Sequence, residues 1–254
     1  MLKRLPACHG KLDFIREEIR KKEAGVRGEN RILLKLSELR IPGTCYVFSD
    51  VSLILGEWKV QIDCMVVTDR CCIVIESKNI SGDLYFDENS DDFFKVNPNG
   101  NEISYPNPYY QLMRHIRFMK EFLRDIIPKM KVTGRVIMTA KSCRIHEKPA
   151  NYPIFKLESM IEKVLHLYNN SSPTQLSDSE FNEIKQKIIR MQSTFSYPPL
   201  CEYYKIPIQE ILTGVECPHC GALGMKRTGK TWTCIACKKN QEMLINMLSM
   251  NFSG

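Results

Sequence analysis

The chain has 254 residues, 43% hydrophobic and 26% charged, with a formal net charge of +7. This is the composition of a globular protein with room for one sizeable core and a small module, not of a disordered or fibrous chain. No apolar run approaches the ~20 residues that span a bilayer, and the N-terminal MLKRLPACHGKLDF lacks the apolar stretch of a secretion signal.

The eleven cysteines are an odd number. Cys64, Cys71 and Cys72 sit in apolar runs, as small buried thiols do. The reading is therefore a reducing, cytoplasmic setting rather than a disulfide framework, with no membrane partner. The net charge conceals a pattern: residues 45–105 hold 4 basic and 11 acidic side chains, and residues 106–150 hold 10 basic and 3 acidic. An acidic segment suits a cation, and the basic segment after it suits phosphate.

In chain order, residues 11–24 place Leu12, Ile15 and Ile19 at helical spacing. Gly25 and Gly28 then interrupt, which predicts a bend or a close backbone approach. Residues 29–40 resume the helical pattern until Pro42-Gly43. Residues 45–55 read as a strand.

The next stretch, Gln61–Lys78, is QIDCMVVTDRCCIVIESK: two apolar runs rich in Val, Ile and Cys around an Asp69-Arg70 turn. It predicts a buried antiparallel hairpin. Asp63, Glu76 and Lys78 are charges set into these apolar strands, and charges are seldom buried unless paired or bound to metal. Glu76 and Lys78, two apart, share a face, and Asp63 on the partner strand can reach it. Two carboxylates side by side repel unless a cation lies between them. Mg²⁺ held by carboxylates lowers the pKa of a bound water, and a lysine beside that water can orient it or stabilise developing charge. The same residues read equally as a buried Glu76–Lys78 ion pair with Asp63 capping a turn.

Residues 81–105 predict two short strands with loops. Pro106-Asn107-Pro108 opens a helix running to about Ile127, with Asn107 as N-cap. Its expected core stripe is Tyr109, Leu112, Met113, Ile116, Met119, Leu123 and Ile126. Gln111, Arg114, His115 and Phe118 lie on a neighbouring face, from which Arg114 or His115 can approach a phosphate. Residues 132–139 form another apolar strand, and Ser177-x-x-Glu180 is a capping box for a further helix. The element order predicts an α/β fold, helices against a mixed sheet.

Ser196-Tyr-Pro-Pro-Leu200 marks a boundary. Beyond it stand Cys217-Pro-His-Cys220, thirteen residues, and Cys234-Ile-Ala-Cys237. Paired CxxC units at this separation predict a structural Zn²⁺ site of four cysteines. His219 is then surplus to a complete shell. Lys226, Arg227, Lys230, Lys238 and Lys239 in the same module could contact nucleic acid.

Taken together, Gly25-x-x-Gly28-Glu29, Gln61-Ile62-Asp63, Glu76-Ser77-Lys78-Asn79 with Gly82, and Asn107-Pro108 with Gln111 resemble, in order, the nuclease-related domain family. That family is assigned to the PD-(D/E)xK, restriction-endonuclease-like superfamily. The likeness covers roughly residues 20–140; Cys64 departs from it, standing where the family more often has His. It implies a restriction-endonuclease-like core in which Asp63, Glu76 and Glu29 hold a catalytic Mg²⁺, Lys78 serves the attacking water and Gln111 faces the site. The cysteine module is similar to topoisomerase C-terminal zinc ribbons.

The expected layout is a nuclease-like domain over 1–195 with a helical extension, a linker over 196–214, and the ribbon with its tail over 215–254. The expected activity is Mg²⁺-dependent hydrolysis of DNA phosphodiesters, with Arg114, Arg117, Lys226, Arg227 and Lys230 contacting DNA or another nucleic acid. The alternative is a catalytically inert nucleic-acid-binding or adaptor protein acting through the ribbon.

Overall fold

The computed structural model describes residues 2–172, 177–192 and 198–242. Ser196 and Tyr197 of the expected boundary, and the tail beyond Glu242, lie outside the described residues. The chain divides into two compact units, Arg20–Phe195 and a second composed of Met1–Ile19 with Ser196–Gly254.

The first helix, α1 (Leu12–Leu36), is unbroken; it begins in the second unit and continues in the first. The expected interruption at Gly25 and Gly28 does not occur, since neither has a positive φ. The two glycines do different things. A Cβ on Gly28 would stand 2.7 Å from Thr139 Oγ1, 3.0 Å from Asn79 Cβ and 3.1 Å from Ser77 Oγ. Gly28 is therefore where the helix backbone presses on the ends of two central strands. At Gly25 an added Cβ meets only Glu29 Oε1, at 4.0 Å.

Strands β1 (Cys45–Leu55), β2 (Trp58–Thr68) and β3 (Cys71–Lys78) follow. The central hairpin is antiparallel, with Cys64 opposite Ile75 and Val67 opposite Cys72. Its residues are almost wholly buried because both faces are covered, which is why the runs are continuously apolar rather than alternating. Three short strands, β4 (Gly82–Phe86), β5 (Phe93–Val96) and β6 (Glu102–Tyr105), occupy the stretch where two were expected. Then come α2 (Pro108–Leu123), β7 (Lys131–Met138), β8 (Cys143–His146), β9 (Ile154–Lys156), α3 (Met160–Asn169) and α4 (Asp178–Met191). Asn107 caps α2 by accepting from the Tyr109 N–H, and the Ser177–Glu180 capping box opens α4.

The main sheet is mixed, in the order β1-β2-β3-β7-β9, with β7 parallel to both β3 and β9. A second sheet runs β6-β5-β4-β8. One core cluster joins Val60, Ile62, Val74 and Val136 of the main sheet to Leu112, Ile116, Phe118 and Phe122 of α2 and to Leu84, Phe86 and Phe93 of the second sheet. A separate cluster packs Ile32 and Leu36 of α1 and Val164 of α3 against Val66, Ile73, Ile75 and Ile137. The main sheet is thus covered by helices on both faces, a mixed α/β architecture. The buried face of α2 is wider than the expected stripe, taking in His115, Phe118 and Phe122. Gly134 makes the fit of α2 possible: a Cβ there would lie 2.5 Å from the Val74 carbonyl oxygen and 2.7 Å from Leu112 Cδ1.

In the second unit, Leu5, Leu12 and Ile15 bury against Ile206. The segment expected as a linker carries α5 (Leu200–Tyr203) and is tied back by Leu212 N–H to Arg4 O and by Lys11 Nζ to Tyr204 O. Its last part is a three-stranded sheet of β10 (Lys226–Thr228), β11 (Thr231–Thr233) and β12 (Asn240–Glu242). Among the described residues, no helix is long and apolar enough to cross a membrane.

Gly25 and Gly28 look alike in the sequence but should answer substitution with opposite signs. Gly28→Ala should cost about 1–3 kcal/mol by overpacking. Gly25→Ala should stabilise by up to ~1 kcal/mol, since alanine loses less entropy in a helix. Thermal unfolding of the two variants checks this; equal shifts would contradict the close approach at Gly28.

Candidate active site and metal centre

Strand register carries Asp63 and Glu76 to facing positions at the open end of the β2–β3 hairpin, one step beyond the Cys64–Ile75 pair. Asp63 Oδ2 accepts from the backbone N–H of Ser77 at 2.7 Å, so it is fixed across the strands rather than capping a turn. Glu76 is fully buried. Lys78 Nζ donates to Glu76 Oε1 at 2.8 Å and to Gln111 Oε1 at 2.9 Å. Gln111 and His115, one turn apart on α2, both reach β3. His115 is fully buried, its Nδ1 lying 3.3 Å from Glu76 Oε2, yet the pair lacks hydrogen-bond geometry. His115 is therefore shut away from any phosphate. Glu76 Oε2 is buried without a hydrogen-bond partner.

Glu29 on α1 is half-buried beside this group, carried there by the Gly28 approach. Asn79 Nδ2 donates to the Ala24 carbonyl at 2.6 Å, and Arg31 donates to the Thr139 carbonyl, so α1 is stapled to the ends of β3 and β7. Burial, then Asp50, then Glu76 push the Glu29 carboxyl above its usual range. Asp63 is pushed from 3.8 to about 7, first by burial and next by Glu76, with the Ser77 N–H and Lys78 opposing.

Asp50 is a residue that the sequence did not mark. It stands at the unpaired step of β1–β2 between the Ser49–Cys64 and Val51–Ile62 pairs, facing Asp63. Its φ of 48° is left-handed, and its Oδ1 accepts from Gln61 Nε2 at 2.8 Å. Only the one-residue interruption of pairing reveals it, and that belongs to tertiary structure.

These groups suit a hard divalent cation. The donors are carboxylate oxygens, Asp63 and Glu76 repel one another, and one Glu76 oxygen is orphaned. The oxygens of Glu29, Asp63 and Glu76 do not all lie within 4.8 Å of one another, whereas among the described residues the thiols of Cys217, Cys220, Cys234 and Cys237 do. Beside Asp63 a cavity of about 280 Å³ opens between β2 and α2, lined by Lys59, Val60, Gln61, Asp63, Gln111 and Arg114. Arg117 is exposed on α2.

In the second unit the four thiols face one another in pairs: Cys217 Sγ to Cys237 Sγ at 3.7 Å and Cys220 Sγ to Cys234 Sγ at 3.6 Å. A tetrahedron with Zn–S near 2.3 Å has edges of about 3.8 Å, so the cluster fits zinc. The Cys237 N–H donates to Cys234 Sγ, a bond that leads in lowering that thiol to about 6. Among the described residues, Met225 and parts of Val215, Ala222 and Trp232 pack around it. Lys226, Arg227 and Lys230 are exposed on β10 and its turn, and Lys238 and Lys239 are exposed beyond Cys237.

The family model for the nuclease-related domain matches residues 24–139. The chain carries a nuclease-related domain. The match begins in α1, just before Gly25, and ends at Thr139, so it takes in Glu29, Asp63, Glu76, Lys78 and Gln111, while the cysteine cluster lies beyond it. No curated protein and no solved structure matches the chain.

Two outcomes follow for the metal-free protein. Between about pH 4 and pH 7 the folded state holds a proton on Asp63 that the unfolded state has released, so the stability from this group is complete below pH 4 and falls as pH rises. Asp63→Asn should flatten that fall, read by thermal unfolding across the interval; a slope identical to wild type would count against it. In the second unit, metal analysis of reduced protein should find one zinc per chain, and Cys→Ser at any ligand should unfold residues 215–238 while leaving the nuclease-related domain folded.

Proposed function

We propose that the nuclease-related domain is a metal-dependent nuclease hydrolysing DNA phosphodiester bonds, and that the cysteine module is a zinc ribbon binding nucleic acid. The observation that carries the reading is the convergence of Asp63, Glu76, Lys78 and Gln111 at the end of one hairpin, with one buried carboxylate oxygen unpaired.

Asp63 and Glu76, assisted by Glu29, would hold Mg²⁺. When bound, such an ion supplies an activated water and offsets charge on the phosphodiester. The chain's own residues do the rest. Lys78, held between Glu76 and Gln111, is a preorganised cation beside the place where negative charge develops. Gln111 fixes the ammonium, and its amide N–H groups, which have no partner among the described residues, would orient a water. The Ser77 N–H keeps the Asp63 carboxylate turned toward Glu76. His115 and the apolar residues beneath close the floor against bulk water. Arg114 and Arg117 on α2, and Lys226, Arg227 and Lys230 on the ribbon, would neutralise phosphates, making affinity salt-dependent.

One observation favours a second reading, an inert adaptor acting through the ribbon: the Glu76–Lys78 pair is formed and its carboxylate is fully buried, as a purely structural ion pair would be.

The two readings separate on Asp63→Asn, Glu76→Gln and Lys78→Ala, assayed for cleavage of plasmid, linear, single-stranded and RNA substrates and for thermal stability with and without Mg²⁺. A nuclease should lose roughly 10²–10³ in rate on Lys78→Ala while keeping its stabilisation by Mg²⁺. The two carboxylate variants should lose both. In the adaptor, Lys78→Ala strands a buried charge and costs roughly 3–5 kcal/mol, with wild type inactive and indifferent to Mg²⁺.

A further inference from the structure

Three cations gather around one ring of the main sheet. The Lys163 ammonium stands 4.6 Å from the centre of the Phe155 ring, the Arg135 guanidinium 5.5 Å and the Lys148 ammonium 5.9 Å. They come from different elements: Arg135 from β7, Lys163 from α3, and Lys148 from the connection between β8 and β9, the strand that carries Phe155. Ile137 pairs with Phe155, and Arg135, two residues before Ile137, shares its face. Ile137 packs with Val164 of α3. Glu76 instead pairs with Val136, whose side chain lies in the cluster under α2. Phe155, Arg135 and Lys163 are therefore on the opposite face of the sheet from the carboxylate centre.

All three cations are half-buried, and among the described residues none has a carboxylate in ion-pair contact. Glu147, Glu158 and Glu162, the carboxylates next to them in the chain, are exposed. Lys148 Nζ donates to the carbonyls of Pro149 at 3.1 Å and Tyr152 at 2.9 Å. Arg135 donates through Nη1 to the Gly134 carbonyl at 2.9 Å, and its Nε is buried without a partner. Lys163 makes no hydrogen bond among the described residues. Burial pushes Arg135 and Lys148 below their ordinary values, and no carboxylate opposes it. A ring face draws a cation, but that attraction is weak beside the hydration that a buried charge gives up. Gathered cations also repel, so the cluster is short of negative charge.

We propose that this cluster is a binding site for a phosphate monoester, in which Arg135 and Lys163 contact the phosphate oxygens and Lys148, fixed by its two carbonyls, adds positive charge beside them. A monoester carries a charge of about −1.5 to −2 near neutral pH and three terminal oxygens. A phosphodiester carries a single charge and would leave more of the cluster uncompensated. The Arg135 fork can take two oxygens and Lys163 supplies a point charge, so the two differ in what they contribute. Free nucleotides, inorganic phosphate and the 5′-phosphate of a strand share this chemistry. The site lies away from the carboxylate centre, so it goes beyond the nuclease reading and does not depend on it. Its signal in the sequence is the one that marks Asp63 and Glu76, a charge set into an apolar strand: Arg135 in KVTGRVIM.

The test uses full-length protein in EDTA. Calorimetry and thermal unfolding are read with inorganic phosphate, adenosine monophosphate, adenosine, and one oligonucleotide carrying either a 5′-phosphate or a 5′-hydroxyl. Lys163→Gln, Arg135→Gln and the double variant are compared with wild type and with Lys129→Gln, an exposed lysine after α2. Adenosine monophosphate should bind wild type and raise its Tm, and adenosine should do neither. Each single variant should weaken the monophosphate several-fold, and the double variant by about tenfold or more, through lost charge-assisted hydrogen bonds. Lys129→Gln should leave it unchanged. Ligand-free Lys163→Gln should keep a Tm close to wild type, since the residue makes no hydrogen bond, and this variant keeps the test decisive if Arg135→Gln does not fold. A wild-type preference for the 5′-phosphate strand, lost in the double variant, supports the site with a strand end as its ligand. Equal affinity for the two strands supports it with a free monoester. No binding of phosphate or monophosphate by wild type at millimolar concentration would overturn the site, as would undiminished affinity in Lys163→Gln and the double variant. Adenosine binding as tightly as the monophosphate would also overturn it. A fall in Tm for Lys163→Gln, with no ligand effect on wild type, would assign the cations to packing on the ring alone. Cleavage plays no part in these readouts, so failure of the nuclease reading leaves the site standing.

Discussion

The burial of one carboxylate constrains the whole centre. Glu76 has no exposed surface, and a charge placed in such a position must be compensated by its neighbours. One oxygen is satisfied by Lys78, which must in turn be held by Gln111 to stay in place. That requirement sets the position of α2, because only a helix lying close over β3 brings Gln111 to the ammonium. The close lie of α2 over the sheet in turn requires a residue without a Cβ at Gly134 on β7, the strand beside β3. The second oxygen, left without a partner, and the facing Asp63 keep the centre electrostatically incomplete, which is the condition under which a cation binds well.

The same economy holds on the other face. α1 brings Glu29 to the centre only because Gly28 lets its backbone touch the ends of β3 and β7, where Asn79 and Arg31 tie it down. The parallel pairing of β3 with β7 puts Lys78 opposite Met138, so the ends of these strands, with the facing Asp63 on β2, gather at one edge of the sheet. Asp50 stands opposite Asp63 in the β1–β2 register, in left-handed backbone. The cysteine module presents a different case. Among the described residues few apolar side chains surround Cys217 and Cys234, and the four thiols stand together in their place.

Much of this was legible in the sequence, and for a definite reason. Local signals carry information about elements whose partners are near in the chain. The Gln61–Lys78 hairpin has its turn and both apolar runs in one stretch. Asn107 and Ser177 announce their helices by capping chemistry alone, and the CxxC spacing declares a metal site because ligand geometry is itself local. Charges in buried strands marked Asp63, Glu76 and Lys78, since desolvation makes such positions rare. What tertiary structure alone decided involves groups distant in sequence. It made α1 continuous, because glycine permits both a bend and a contact and only the neighbouring strands choose between them. It assembled the second sheet from short strands whose mutual pairing, β4 with β8 above all, has no local signature. It turned His115 inward onto Glu76, and set Asp50 beside Glu29 at the centre. Each of those outcomes depends on which surface arrives opposite a residue, and a strand or helix read singly does not contain its opposite.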